Sequence, residues 1–112
     1  MQLKMRSVGE TLVIVPLSDY LDSHNAPSFK TQVLESIKKG RFHLVINFSQ
    51  VEFIDSSGLA ALISLVRNLG AEGEVVVCNL SPTLASLFDL TRLDRIIRVF
   101  SDENMALAAM PD

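Results

Sequence analysis

Apolar positions alternate with polar ones, then recur at helical spacing, and each change of period along the chain marks an element. "QLKMRS" and "TLVIVPLS" are strand-like runs on either side of "VGE", where Gly9 supplies the turn of a hairpin or of two short strands. Pro16 cannot donate to a ladder, so the second run is expected to end there or to lie at an edge. From Asn25 the period lengthens. Phe29, Val33, Leu34 and Ile37 fall on one helical face before Gly40, with Asn25 placed to cap and Pro27 tolerated in the first turn. "FHLVINF", residues 42–48, is apolar nearly throughout and predicts a central strand covered on both sides. Leu59, Leu62, Ile63, Val66 and Leu69 then predict a helix beginning near Ser56, with Ala60, Ala61, Ser64, Arg67 and Asn68 making up the rest of its surface.

"EVVVCNL" is a further strand, Ser81 followed by Pro82 opens a helix through about Leu90, and "IIRVF" gives a last short strand. A final helix is expected from Ser101, with Asp102 and Glu103 in the first turn, where the helix dipole favours acid. Strands alternating with helices through the later two thirds predict an α/β fold with right-handed parallel crossovers after an antiparallel or mixed beginning. The chain shows no repeat, linker or low-complexity segment.

At 112 residues and 48% hydrophobic, the chain can bury one core, so residues 1–112 are expected to form one domain. A net charge of -3, with ten basic residues scattered rather than grouped, offers no electrostatic footprint for nucleic acid or an anionic membrane. The single cysteine, Cys78, lies inside an apolar strand; it is expected to be buried, and the lack of a partner suits a reducing compartment. "MQLKMRS" has no apolar leader-like core, and no apolar run approaches the roughly 18 residues of a membrane span, so a cytoplasmic location is expected.

The candidate chemistry concentrates in "FIDSSGLAALISLVRNLG", residues 53–70, where an Asp-Ser-Ser-Gly turn opens a helix. Helix N-termini leave backbone N–H groups without internal partners and attract anions; a serine there can simply cap, and Gly58 can allow close packing. A nucleophilic role for Ser56 or Ser57 lacks a base, because the two histidines fall in a polar loop (His24) and a strand (His43), and the glycine of G-x-S-x-G is replaced by Ile54. Neither G-x-x-x-x-G-K nor G-x-G-x-x-G occurs, and His24 with Asp19 and Asp22 has no metal-site spacing, so no catalytic residue, metal or cofactor is expected. The serine can instead be a substrate: phosphorylation adds roughly two negative charges that unpaired N–H groups at the helix start would tolerate. Asp55 is adjacent, and Asp22 would lie at the same edge if its strand is a parallel neighbour.

"LVINFS", "VEFIDSSGLAALI" and "GEVVVCNLSPTLASLFDLTRLDRIIRVF", in this order and with "LDSHNAPSFK" before the first helix, resemble the STAS domain of bacterial anti-sigma factor antagonists over essentially the whole chain. The resemblance implies a single STAS domain, a mixed and mostly parallel β-sheet with its first strand set apart, covered by about four α-helices. It implies a non-enzymatic partner switch in which the serine directly after the aspartate, here Ser56, is phosphorylated by a cognate serine kinase of the histidine-kinase-like ATPase type that also serves as anti-sigma factor. The unphosphorylated form would occupy that partner, and a metal-dependent serine phosphatase would restore it. Asp22, Asp55, Ser57 and Gly58 would shape the acceptor site, and the small face of Ser57, Ala60, Ala61 and Ser64 would admit the partner. Relatives commonly carry a glycine and an acidic residue where this chain has Asp19-Tyr20, which leaves Tyr20 as either an exposed anchor or a packed loop residue. The rival readings are a STAS subunit of a lipid or anion transport assembly and a small-molecule or nucleotide sensor.

Overall fold

β1 (Leu3–Val8) and β2 (Thr11–Pro16) pair antiparallel along their whole length, turning at Gly9 with φ +59°. This is the computed structural model of the chain, and it describes residues 1–111. β2 ends at Pro16 as its missing donor requires, but it lies inside the sheet rather than at an edge. The chain then forms β3 (Tyr20–Leu21), α1 (Ala26–Lys38), β4 (His43–Asn47), β5 (Phe53–Ile54), α2 (Ser56–Leu69), β6 (Glu74–Cys78), α3 (Pro82–Leu90), a 3-10 turn (Leu93–Arg95), β7 (Val99–Phe100) and α4 (Glu103–Ala108).

The main sheet runs β1-β2-β4-β6-β7, parallel at every pair after the first, and β3 pairs with β5 in a separate two-stranded parallel sheet. The mixed sheet and four helices agree with the α/β expectation. The strands set apart from it are β3 and β5, however; β1 is hydrogen-bonded to β2 over six residue pairs.

Alternation along the central strands divides the core in two. Leu12, Ile14, Leu44, Ile46, Val75 and Val77 face Phe29, Val33 and Ile37 of α1, Leu62, Leu65 and Leu69 of α2, and Leu84 and Phe88 of α3. Val13, Val45, Val76 and Cys78 face the other way, onto Ala106 of α4 and Met110. Cys78 is buried as expected, and burial first, then Glu103 and Asp102, pushes its thiol up to about 12.

At two helix starts an aspartate takes the cap: α2 begins at Ser56 as expected, whereas α4 starts later than expected. Asp102 accepts from the Met105 N–H at 2.8 Å, so α4 begins at Glu103 rather than Ser101. Asp55 caps α2 in the same way. Asn25 precedes α1 but does not cap it by its side chain, which turns back toward β3.

α4 is fastened to the sheet through Glu103, which accepts from Arg6 of β1 and, at 3.1 Å, from Asn47 Nδ2 of β4. The Arg6 hydrogen bond holds the Glu103 carboxyl below its ordinary 4.5, with Asn47 adding to the effect against partial burial. A carboxylate depressed in the folded state stabilises above its unfolded value and loses that contribution as pH falls through the folded one. Acid unfolding should therefore begin as pH drops below about 4.5, and Glu103→Gln should flatten this part of the pH profile while lowering stability at neutral pH. Thermal melts at a series of pH values read the effect directly.

Candidate functional site

The parallel pairing of β3 and β5 sets Tyr20 against Phe53 and Leu21 against Ile54. Leu21 and Ile54 point into the core and are almost wholly buried, while Tyr20 and Phe53 face out. The next residue of each strand is an aspartate, so Asp22 and Asp55 leave the small sheet at the same end, side by side in chain register. The Asp55 N–H donates to the Leu21 carbonyl at 3.1 Å and holds this arrangement. The juxtaposition of Asp22 and Asp55 expected from the sequence is thus present.

Asp22 works mainly on its own loop. Its Oδ1 accepts from the His24 N–H at 2.9 Å, and its carbonyl accepts from the N–H groups of Asn25 and Ala26. Asn25 answers by accepting from the Asp22 N–H at 2.9 Å and donating its Nδ2 to the Tyr20 carbonyl at 2.7 Å. The β3–α1 loop is locked by this exchange, which explains why Asn25 is unavailable as a helix cap.

Asp55 has an extended backbone and closes the N-terminus of α2. Its Oδ1 accepts from the Ser57 N–H at 2.8 Å and the Gly58 N–H at 3.1 Å. Neither serine is the cap. Two of the donors that a phosphate on Ser56 is expected to meet, the Ser57 and Gly58 N–H groups, are already occupied by this carboxylate, and the helix dipole is answered locally. Ser56 itself is the first residue of α2 and stands exposed. A charged group on its hydroxyl would remain in water, and its tolerance by the fold rests on exposure rather than on a donor nest.

Gly58 is buried, so its place is in packing rather than on a contact surface. A Cβ there would meet Ile54 Cγ2 at 2.5 Å and the Leu21 carbonyl oxygen at 2.7 Å. The absent side chain lets α2 sit directly on β3 and β5, which fixes where Ser56 emerges.

Ala60 is exposed as expected, but Ala61 is only 4% exposed. α1 packs along α2 on this side, so the small-residue face is partly an interhelical seam and not a face turned from the core. Between the two helices lies an open cleft of about 340 Å³, walled by Ser57, Ala60 and Ala61 of α2 and by Ser23, Ala26, Pro27, Lys30 and Thr31 leading into and along α1. Ser64 is outside this cleft, half-buried one turn further on, where its carbonyl accepts from Asn68. The α1 wall was not anticipated. Its signal was present in the small or polar residues at 23, 26, 27, 30 and 31, which share a face at helical spacing.

These features define a class of protein: a small mixed α/β domain that presents an exposed serine hydroxyl and a shallow interhelical cleft at the carboxyl end of a two-stranded parallel sheet. Residues 2–106 match the model of the STAS domain, and the chain belongs to that family. The anti-sigma F factor antagonist of Paenibacillus polymyxa is 30% identical over 101 residues, covering 88% of this chain and 86% of that one. Among solved structures, an anti-sigma factor antagonist from Mycobacterium paratuberculosis matches with a TM-score of 0.89 at 26% identity, over 99% of this chain and 94% of the other. The Bacillus cell fate determinant SpoIIAA in its phosphorylated form matches with a TM-score of 0.73 at 26% identity, over 97% of this chain and all of that one. Among the described residues, no helix is long and apolar enough to cross a membrane.

Proposed function

We propose that the chain is a cytoplasmic, non-enzymatic anti-sigma factor antagonist that works by partner switching, with Ser56 as its phosphoacceptor. Unphosphorylated, it binds a serine kinase of the histidine-kinase-like ATPase type that doubles as anti-sigma factor; phosphorylated, it is released; a metal-dependent serine phosphatase resets it. The observation that carries this reading is the exposure of Ser56 at the first position of α2, one residue before Ser57 on the cleft wall.

In the transfer, Ser56 Oγ forms a new ester to the terminal phosphorus of ATP, ADP leaves, and the hydroxyl proton goes to the kinase or solvent. The product carries about two negative charges and three strong acceptor oxygens. Because Asp55 already occupies the Ser57 and Gly58 N–H groups, this dianion keeps its water in the free protein. A partner seated over Ser56 and the small side chains of Ser57 and Ala60 would have to strip that water away. Shifting a complex from almost wholly bound to almost wholly free takes roughly 5 kcal/mol, which a desolvated, unpaired charge at an interface can supply.

The reading is tested by incubating the chain with the partner kinase and ATP and locating the modification by mass spectrometry. One phosphate on Ser56 is the expected result; phosphate on Ser57, or none, would contradict it.

A further inference from the structure

The outer face of the β3–β5 sheet carries two aromatic rings that the fold does not use. Tyr20 is 51% exposed and Phe53 43%, although the residue after each is buried. Their rings meet edge to face, 6.5 Å between centroids, so each supports the other and the pair forms one raised apolar feature. Exposed, mutually braced aromatics lose little conformational freedom on being covered, which is why such residues dominate binding energy at protein interfaces.

The charged residues that flank the two rings along β3 and β5 are all acidic. Asp19 and Glu52 lie immediately before the two rings, joined where the Glu52 N–H donates to the Asp19 carbonyl at 2.7 Å. Asp22 and Asp55 follow at the other end. Among the described residues the two ion pairs are Arg6 with Glu103 and Arg98 with Glu74, and neither engages these four carboxylates. Asp19 and Glu52 are both exposed and lie on the side of the rings away from Ser56, given the direction of the strands.

We propose that Tyr20 and Phe53 are a specificity anchor: they insert into an apolar socket on a partner protein whose rim carries Lys or Arg side chains facing Asp19 and Glu52. The anchor extends the Ser56 face and rests on the reading of that face as a partner surface. The cationic rim engages the far end of the small sheet, while the cleft side beside Ser56, with Ala60 and Pro27, is covered by close, largely apolar contact. Opposite charges at the rim fix orientation and partner choice, and the rings supply most of the affinity.

The test replaces Tyr20 with photoreactive p-benzoylphenylalanine in the full chain, with the same group at Lys38 as control, and irradiates cells of the native organism. The expected result is an adduct at position 20 absent from position 38, whose cross-linked peptide holds apolar residues flanked by Lys or Arg. With the captured protein purified, Tyr20→Ala should weaken binding roughly tenfold or more and Tyr20→Phe should restore it, with melting temperatures unchanged and affinity falling as salt rises. No adduct above the control, an acidic or uncharged cross-linked peptide, or unaltered affinity in Tyr20→Ala would overturn the anchor. Adding Ser56→Asp to the photoreactive chain separates the two readings: loss of the adduct agrees with both, whereas an adduct that persists leaves the anchor standing and removes the charge switch.

Discussion

Ser56→Asp should lower affinity for the partner by about a hundredfold or more, equivalent to roughly 2.7 kcal/mol, and leave the melting temperature where it is. Asp carries one charge where phosphoserine carries nearly two, so the substitution sets a lower bound on the natural switch. The fold should be indifferent because the side chain stands in water, and surface changes of this kind usually stay within about 0.5 kcal/mol. Ser56→Ala should bind as the unmodified chain does and fail to respond to kinase and ATP. Ser56→Asn adds similar bulk without charge, so isothermal titration of Asp against Asn variants separates electrostatic from steric exclusion. An Asp variant that binds like the original chain would remove charge from the account.

Gly58→Ala should destabilise the domain by about 1–3 kcal/mol, although the same change at an exposed helical site would stabilise it by up to about 1 kcal/mol. The sign is decided by space. The new methyl group would stand 2.5 Å from Ile54 Cγ2, 2.7 Å from the Leu21 carbonyl oxygen and 3.0 Å from Leu21 Cγ. The carbonyl cannot move away freely, since it accepts the Asp55 N–H that joins β3 to the start of α2. Relief must come by lifting α2 from the small sheet, which shifts Ser56 and Asp55 together. Denaturant unfolding reads the loss, and partner affinity should fall alongside it. Unchanged or raised stability would mean that α2 does not rest on β3 as described.

Much of this architecture is legible in local pattern. Two strand-like runs on either side of Gly9 define the first hairpin, the nearly continuous apolar run at 42–48 marks a strand covered on both faces, and Ser81-Pro82 opens α3, where Ser81 Oγ accepts from the Leu84 N–H at 3.1 Å. The juxtaposition of Asp22 with Asp55 is legible only on the condition that the strand ending at Asp22 runs parallel beside this edge; β5, two residues long, is not marked by any local pattern. What escapes a linear reading is the choice among equivalent local chemistries. In Asp-Ser-Ser any of the three side chains can cap a helix, and only the backbone angle at Asp55 decides that the carboxylate does so and the serines do not. Asn25 reads as a cap until the loop brings Tyr20 and Asp22 within its reach.

The location of Ala61 is a tertiary fact. Its spacing on α2 gives a small surface residue, but α1 lies along that side and buries it, while leaving Ala60 one position away in the open. The cleft itself belongs to two helices separated by residues 39–55, and neither helix announces it alone. Tyr20 and Phe53 meet only because β3 and β5 pair in register, which no property of either dipeptide encodes.

The central claim is that one charged group on an exposed hydroxyl, tolerated by the domain, is refused by its partner. The most direct measurement compares the partner's dissociation constant for the homogeneous unmodified chain with that for the chain phosphorylated on Ser56, with circular dichroism recorded on both. The account predicts superposable spectra and a loss of affinity near ten-thousandfold, the factor that takes a complex from nearly full to nearly empty. Equal affinity for the two forms, or a phosphorylated chain that has lost its fold, would contradict it.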